Sequence, residues 1–278
     1  MLEARTHNYL KEFLNKNPSN WKHLFSFGRI IASFIRKKKN LLINSEILFT
    51  EEWLSGVLIP LFLNQEDSKF VLPSNKLKVL LETHIPLYKE FGFNFAVKNN
   101  QIIFPTHKIC IKTIDSLLEE HRQADFQKQI IIFADLESLK KDLKKYLRIT
   151  FYKKDWLTNF DLVSKEKSDL FRTYDSLKEK FFLRSTPSQT IISLNTDEIN
   201  LLKNLITNNA NRSKKFFKLN KAISLGWAFW INLDHDNFEW YLEVEPIDQF
   251  GEITDLLRKN NMIFLSSLRK DNFFKRYL

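Results

Sequence analysis

Strand-like and helix-like segments alternate along residues 41–148. Largely apolar runs typical of buried strands stand at Leu41–Ile43, Lys69–Leu72 and Ile130–Phe133, and helical patterns separate them. The unbroken β-branched run Ile130–Phe133 suits a strand covered on both faces of a sheet. At least three alternations of this kind predict an α/β fold, in which a mostly parallel sheet is flanked by helices on both faces.

The sequence predicts four segments along the chain. They are a helical segment over residues 1–40, an α/β core over 41–150, a charge-rich and mainly helical insertion over 151–225, and a hairpin with a return to the core sheet over 226–278. The hairpin is predicted because Ile231–Leu233 and Phe238–Val244 flank a turn-like stretch. The return is predicted from the strand pattern Met262–Leu265.

Length and composition restrict the class of protein. The 278 residues, 44% of them hydrophobic, suffice for one large domain or two small ones. Leu54–Leu63, the longest uncharged apolar stretch, is too short to span a bilayer, and Met1–Phe13 carries charges where a signal peptide is apolar. We therefore expect a cytoplasmic protein without a membrane partner. Cys110, the only cysteine, excludes an internal disulfide and is interpreted as an apolar core residue.

The formal net charge of +10 favours an anionic partner such as nucleic acid. The basic residues cluster at Arg36–Lys39, at Lys140–Arg148 with Lys153 and Lys154, at Arg212–Lys221 and at Arg269–Arg276. A solvated helix face explains any one of these clusters, and the richness in lysine, asparagine and phenylalanine is typical of an AT-rich genome. Charge alone leaves nucleic-acid binding and a plain charged surface both open.

An acidic step, Ala134-Asp135-Leu136-Glu137, follows the strand pattern Ile130–Phe133. Asp135 is placed to cap the helix predicted over Leu136–Leu147, where leucines recur at helical spacing. The carboxyl end of a central strand is also where open α/β sheets place their chemistry. These residues alone leave a helix cap and a functional carboxylate both open.

Five parts of the sequence, taken in order, carry a resemblance to a known family. They are Leu41-Leu42-Ile43 with Leu58–Leu61, Val71–Lys76 with Ile85–Leu87, Pro105-Thr106-His107, Ala134–Glu137, and Ile263–Leu268. They resemble successive motifs in the first RecA-like half of a superfamily 2 helicase of the DinG/XPD type. Ala134–Glu137 stands at the place of the DEAH-type box. The resemblance implies a RecA-like, mostly parallel sheet and DNA, single-stranded in particular, as the partner.

The phosphate-binding loop of that family is degenerate here. Such a loop needs glycines, so that backbone N–H groups approach the phosphates, and a lysine to neutralise them. The window Ile47–Trp53 has neither. We expect Thr50 to cap the next helix, with Glu51 and Glu52 in its first turn, and Trp53 to be packed at the place of the lysine.

The second nucleotide motif departs in a compatible way. In such enzymes the first carboxylate of the box holds Mg²⁺ and the next one positions the attacking water. Ala134 takes the first place here, Asp135 the second, and Glu137 stands where the family has a histidine. We therefore expect no ATP hydrolysis by this chain alone, no cofactor and no metal. The residues at the degenerate nucleotide site are Glu46, Thr50, Trp53, Asp135 and Glu137.

The resemblance also implies positions that contact a nucleic-acid backbone. They are Ser74, Asn75, Lys76, Thr106 and His107, together with Lys140 and Lys144 on the basic helix face. Helix caps at Ser74 and Thr106, and a structural role for His107, remain open alternatives. The aromatic group Trp227, Phe229, Trp230, Trp240 and Tyr241 is interpreted as the core of the hairpin rather than a surface that stacks bases.

Three hypotheses follow from the sequence. The first is a helicase-related protein that binds single-stranded or forked nucleic acid without hydrolysing ATP on its own. The second is an ATP-dependent DNA helicase subunit, with ATP and Mg²⁺ as cofactors, because the chain stops where the second helicase half with its arginine finger is expected. The third is a non-catalytic scaffold that binds a protein partner.

Overall fold

The computed structural model describes residues 1–45, 51–123, 128–157, 164–211, 213–248 and 251–267. The helices are α1 (Leu2–Lys16), α2 (Leu24–Lys37), α3 (Leu54–Leu63), α4 (Ser74–Val79), α5 (Ile85–Phe91), α6 (Ile114–Gln123), α7 (Leu136–Leu147), α8 (Lys153–Leu157), α9 (Ser164–Arg184), α10 (Thr196–Asn208), α11 (Lys214–Ser224) and α12 (Thr254–Lys259). The strands are β1 (Leu41–Asn44), β2 (Ser68–Val71), β3 (Ala96–Lys98), β4 (Gln101–Ile103), β5 (Lys108–Lys112), β6 (Ile130–Phe133), β7 (Ile149–Phe151), β8 (Ile191–Ile192), β9 (Ala228–Asp234), β10 (Glu239–Glu245) and β11 (Asn261–Ser266).

The chain divides into two compact units. The first comprises Met1–Leu143 and Phe250–Leu278, and the second comprises Lys144–Gln249. The first unit therefore includes the predicted N-terminal helical segment and the predicted core as far as Leu143, whereas residues 144–150 of that core belong to the second unit. The hairpin β9–β10, which the sequence prediction grouped with the return to the core, belongs to the second unit with the insertion.

The sheet of the first unit has seven strands in the order β1-β11-β6-β2-β5-β4-β3. The first five strands of this order, β1, β11, β6, β2 and β5, are parallel to one another. The sheet continues with β4 and β3, each antiparallel to the strand before it. The last of the described strands, β11, inserts between β1 and β6. This sheet, flanked by helices, confirms the predicted α/β class with a mostly parallel, RecA-like sheet.

Helices cover both faces of this sheet. On one face, Ile130 and Ile132 of β6 belong to a core cluster shared with side chains of α1, α2, α3 and α5. On the other face, Phe133 stacks on Phe264 of β11 and lines a crevice with α6 and α7. All four residues of β6 are buried, as their unbroken apolar run predicts.

Helix α3 is buried along its whole length against α1 and α2. Two glycines allow the close approach of the helices: a Cβ added to Gly28 would meet Leu10 Cδ1 at 2.5 Å, and one added to Gly56 would meet Phe27 Cδ1 at 2.6 Å. The apolar stretch Leu54–Leu63 is thus a core helix. None of the described helices has the length and apolar character to cross a membrane.

The second unit contains a four-stranded antiparallel sheet in the order β7-β10-β9-β8. Its core includes Trp240, which is stacked on Tyr174 at 4.8 Å between ring centroids and accepts a hydrogen bond at its carbonyl from the Tyr174 hydroxyl. Helices α8–α11 and inward side chains of all four strands contribute the rest of this core. The range of the predicted insertion holds the helices α8–α11 and the strand β8, while β7 lies across its boundary with the predicted core.

The sequence pattern predicts a helix from His107 to Gln123, and this prediction is wrong over its first part. Lys108–Lys112 form the strand β5, which pairs with β2, and α6 begins at Ile114. Alternation explains the strand, because Ile109 and Ile111 point into the core that includes α3 while Lys108 and Lys112 flank them. Cys110 is buried in the middle of this strand, as expected of an apolar core residue.

Candidate functional site at the carboxyl edge of the sheet

The five parallel strands end at a common edge, which we call the carboxyl edge. Ser45 follows β1 and its N–H donates to the carbonyl of Ser266 at the end of β11. Ala134 follows β6 and donates to the carbonyl of Val71 in β2. Two segments with predicted functions, the acidic step and the segment from Ser74 to Lys76, are therefore neighbours in space.

Asp135 caps α7 and also binds a lysine. Its Oδ1 accepts a hydrogen bond from the Ser138 N–H at 3.0 Å, and its Oδ2 accepts from the Ser138 hydroxyl at 3.0 Å. The ammonium of Lys76 donates to the same Oδ2 at 3.1 Å. The predicted helix cap is confirmed, and both oxygens of the carboxylate already have donors within the protein.

The pKa of Asp135 lies below its ordinary value of 3.8. Burial acts to raise it, but the hydrogen bonds from Ser138 and the charge of Lys76 favour the ionised form and prevail. Asp135 is therefore a carboxylate at neutral pH, which is the form that a helix cap and an ion pair need.

Glu137 points to the end of β11. Its Oε1 accepts from the Ser266 hydroxyl at 2.6 Å, and its Oε2 accepts from the Ser267 hydroxyl at 3.2 Å. The acidic step follows β6, which lies between β2 and β11 in the sheet. Asp135 contacts the segment after β2, and Glu137 contacts the end of β11 and the residue after it. Ser266 and Ser267 were part of the resemblance but not of the predicted site.

A crevice beside Asp135 has a volume of about 10 Å³. It is lined by Val71, Pro73, Ile114, Leu139 and Asp142, among others. A volume of this size holds about one water molecule. The crevice therefore cannot admit a nucleotide.

Trp53 is packed, as predicted, in the main core of the first unit. It is 3% exposed, and its ring meets that of Phe70 in β2 edge-on, with the centroids 6.4 Å apart. Glu46 and Thr50, the other predicted residues of this window, lie outside the described residues. The position that the resemblance gives to the loop lysine thus holds an aromatic core residue.

The two glutamates before Trp53 correct a further expectation. Helix α3 begins at Leu54 and has no acidic residue in its first turn. Glu51 Oε2 lies 2.6 Å from Nε2 of His84, and Glu52 Oε2 accepts a hydrogen bond from the Ser19 hydroxyl at 2.8 Å. These carboxylates connect the segment before α3 to His84 and Ser19 and do not lie in the first turn of the helix, where they would interact with its dipole.

Ser74, Asn75 and Lys76 lie in the first turn of α4, directly after β2. Ser74 and Asn75 are exposed, and the Lys76 side chain is 39% exposed in its ion pair. The cap of α4 is Pro73 without a side-chain hydrogen bond, so the cap predicted as an alternative for Ser74 is wrong. These side chains are therefore presented to solvent at the carboxyl edge.

Thr106 and His107 lie at the opposite edge of the sheet, which corrects their predicted place. They form the turn between the antiparallel strands β4 and β5, so they precede a strand and not a helix. The His107 ring stacks on Phe104 at 4.6 Å, and its Nδ1 lies 2.9 Å from the Thr106 hydroxyl. Burial lowers the pKa of His107. The open alternative, a structural histidine, is the one that this geometry favours.

The predicted basic face of α7 is partly paired. The Lys144 ammonium lies 3.1 Å from Glu245 Oε1, and Arg148 lies 3.2 Å from Glu243 Oε1, both within the second unit. Lys140 is partly buried and has interactions of its own. Lys144 is still 45% exposed, so its pairing does not remove it from solvent.

Sequence reasoning missed Lys112, the last residue of β5, and Thr113, which follows it. Lys112 and Thr113 occupy the carboxyl edge at the position that Thr106 and His107 were predicted to fill. Lys112 lies 3.6 Å from Glu120, which also pairs at 3.0 Å with the buried Lys69 of β2. The alternating pattern Lys-Ile-Cys-Ile-Lys was the signal that identifies the strand and hence its end.

Among the described residues, no three His, Cys, Asp or Glu side chains are grouped so that they could hold a metal ion. The fold and the site define an α/β protein with a cluster of internally paired polar residues at the carboxyl edge of a mostly parallel sheet. The sequence matches no protein-family model and no curated protein.

Proposed function

We propose that this chain is a helicase-related protein that binds single-stranded nucleic acid, DNA in the first place, and does not hydrolyse ATP on its own. The observation that carries the proposal is the state of Asp135. Both of its oxygens accept hydrogen bonds from Ser138 and Lys76. Three donors within the protein therefore hold this carboxylate in the orientation of a helix cap, and turning it to position an attacking water or a hydrated Mg²⁺ would break these bonds.

Two further observations support the loss of hydrolysis. Trp53 fills the place of the lysine that would neutralise the phosphates, and it is buried. Ala134, at the place of the metal-binding carboxylate, has no side-chain ligand to offer. Phosphoryl transfer depends on positioning and on neutralising charge, so the absence of both groups removes the main sources of catalysis.

The carboxyl edge supports the binding of nucleic acid. Ser74 and Asn75 offer exposed hydroxyl and amide donors, and Lys76 is the partly exposed cation beside them. Donors of this kind suit phosphate oxygens, which position a nucleic acid without reading its sequence. The net charge of +10 agrees with such a partner.

The proposal is tested by fluorescence anisotropy with a labelled single-stranded DNA at two salt concentrations. We expect binding that weakens steeply with salt, because each phosphate contact releases counterions. Lys76→Gln should weaken binding, whereas Lys108→Gln, the same charge change at the opposite edge of the same sheet, should leave it unchanged. Salt-independent retention, or no binding at all, would remove the proposal and leave a scaffold for a protein partner.

The same titration with ATP and Mg²⁺ separates the remaining alternative. We expect that ATP with Mg²⁺ does not change the affinity for DNA. We also expect no change in the melting temperature, which a ligand that binds the native state would raise. A rise in melting temperature with ATP and Mg²⁺ would instead support a helicase subunit that is completed by a second RecA-like half.

A further inference from the structure

The sheet of the second unit has one covered face and one open face. Side chains alternate along β9 and β10, so Ile231, Leu233, Trp240 and Leu242 point into the core. The neighbouring positions point the other way. We call this side the open face and define it by Tyr152, Ile191, Trp230 and Tyr241, where Tyr152 directly follows β7; Asn232, which points to the same side between Tyr241 and Ile191, is buried.

Aromatic rings of the open face are exposed to solvent. Tyr152 is 46% and Trp230 40% exposed, and Ile191 beside them is 53% exposed. The rings of Tyr152 and Tyr241 lie 5.1 Å apart between centroids. Trp230 is diagonal to Tyr241 across the β9–β10 pair, at about 7–8 Å between Cα atoms. Three flat rings thus follow one another across three adjacent strands.

The charges around these rings favour an anionic occupant. Glu243 and Glu245 stand on the open face of β10, but Arg148 and Lys144 pair with them. The cation is the more exposed partner of each pair: 36% against 18% for Arg148 and Glu243, and 45% against 13% for Lys144 and Glu245. Solvent therefore meets mainly the positive partners.

Two more carboxylates near the rings are also engaged. Lys153 donates to Glu239 at 2.7 Å in a pair whose carboxylate is slightly the more exposed partner, at 40% against 35%, and Lys215 forms an ion pair with the less exposed Asp155. The Lys215 ammonium lies 5.8 Å from the centroid of Tyr152, and that of Lys154 lies 5.9 Å from the same ring. Cations beside an exposed ring are the combination that single-stranded nucleic acids meet on their binding surfaces.

We propose that the open face is a base-stacking surface for single-stranded nucleic acid, separate from the phosphate contacts at the carboxyl edge. The proposal rests on the proposed function and adds to it the part of the ligand that this unit recognises, the bases. Stacking tolerates any sequence, since every base has a π face. The backbone of the same strand would meet the outward cations Lys144 and Arg148.

The test compares two labelled oligonucleotides of equal length and charge, one of thymidines and one of abasic sugars. We expect the wild-type chain to bind the thymidine strand at least about fivefold more tightly, the factor that ~1 kcal/mol of stacking produces. Replacing the rings together, as Tyr152→Leu, Trp230→Leu and Tyr241→Leu, should abolish this preference. Phe217→Leu, which removes an exposed ring of α11 outside the open face, is the matched control and should retain it.

Three outcomes separate this inference from the proposed function. If the wild type prefers thymidines and only the triple variant loses the preference, the stacking surface is supported. If the wild type binds both strands equally, the stacking surface is wrong while nucleic-acid binding stands, and the open face is left to a protein partner. If neither strand binds, both proposals fall. The single variant Trp230→Leu should weaken the preference for thymidines in part. An unchanged far-ultraviolet circular dichroism spectrum of this variant and of the triple variant shows that the lost preference is not caused by misfolding.

Discussion

The ammonium of Lys76 lies 3.1 Å from Oδ2 of Asp135, although the two residues are 59 positions apart in the sequence. One was predicted to contact nucleic acid and the other to be a remnant of a nucleotide site. The parallel pairing of β2 with β6 makes them neighbours, and each neutralises the other. A phosphate that binds Lys76 must therefore compete with Asp135.

This competition predicts that Asp135→Asn binds single-stranded DNA more tightly than the wild type. The amide keeps an oxygen for the Ser138 N–H but no longer holds the ammonium by charge. Because Lys76 is 39% exposed, its ion pair is partly screened, and we expect a gain in affinity of about two- to fivefold. Anisotropy titrations at low salt measure it. Asp67→Asn, the same change on an exposed residue before β2 at the opposite edge of the sheet, should leave the affinity as it is.

The pH dependence of stability contains a contribution from Asp135. Its folded pKa is lower than its ordinary value of 3.8, so the native state binds the proton less readily than the unfolded chain. The stabilisation is present above about pH 4, and it is lost as the pH falls through the folded pKa. Urea unfolding between pH 7 and pH 3 should show a smaller loss for Asp135→Asn than for the wild type. Parallel curves for the two proteins would contradict this assignment.

Replacing Trp53 by the lysine of the helicase motif should not restore a nucleotide site. Trp53 is 3% exposed, and the substitution would remove its packing against Phe70 and bury an amine. We expect Trp53→Lys to lose about 3–5 kcal/mol in the free energy of unfolding, as large-to-small changes of buried tryptophans do. Trp53→Phe should lose clearly less. A melting temperature of Trp53→Lys that rises with ATP and Mg²⁺ would show that the pocket is still present.

The close packing of α3 against α2 depends on the absence of a side chain at Gly56. A Cβ at this position would lie 2.6 Å from Phe27 Cδ1 and 2.9 Å from Leu24 Cδ1, closer than side chains tolerate. Gly56→Ala should therefore lower the free energy of unfolding by about 1–3 kcal/mol. Ser55→Ala, next to it on the same buried helix, removes an atom instead of adding one and serves as the control. Equal unfolding midpoints for the two variants would mean that the helices can separate without cost.

The sequence predicted the α/β class because that class depends on local patterns. The run Ile130–Phe133 and the helix from Leu136 are visible in the order of residues, and so is the cap at Asp135. Trp53 was also predicted to be packed, because a large aromatic side chain at the place that the resemblance gives to the loop lysine suits a core better than a phosphate. These conclusions need only the immediate neighbours of each residue.

The site was less predictable because its contacts are not local. Glu137 binds Ser266, 129 positions away, only because β11 inserts next to β6, and nothing near either residue signals that order. Thr106 and His107 were placed at the wrong edge of the sheet because a two-residue resemblance was preferred to the alternation in Lys108–Lys112. When β5 is overlooked, the turn that precedes it is assigned to the carboxyl edge, although the turn lies at the opposite edge of the sheet.

The position of β11 also has a consequence for biosynthesis. β1 and β6 leave the ribosome long before the strand that separates them in the finished sheet, since the whole second unit is translated in between. At about 5–20 residues per second, the delay is on the order of ten seconds. During that interval the nascent chain carries two unpaired strand edges, which are the surfaces that chaperones and aggregating neighbours bind.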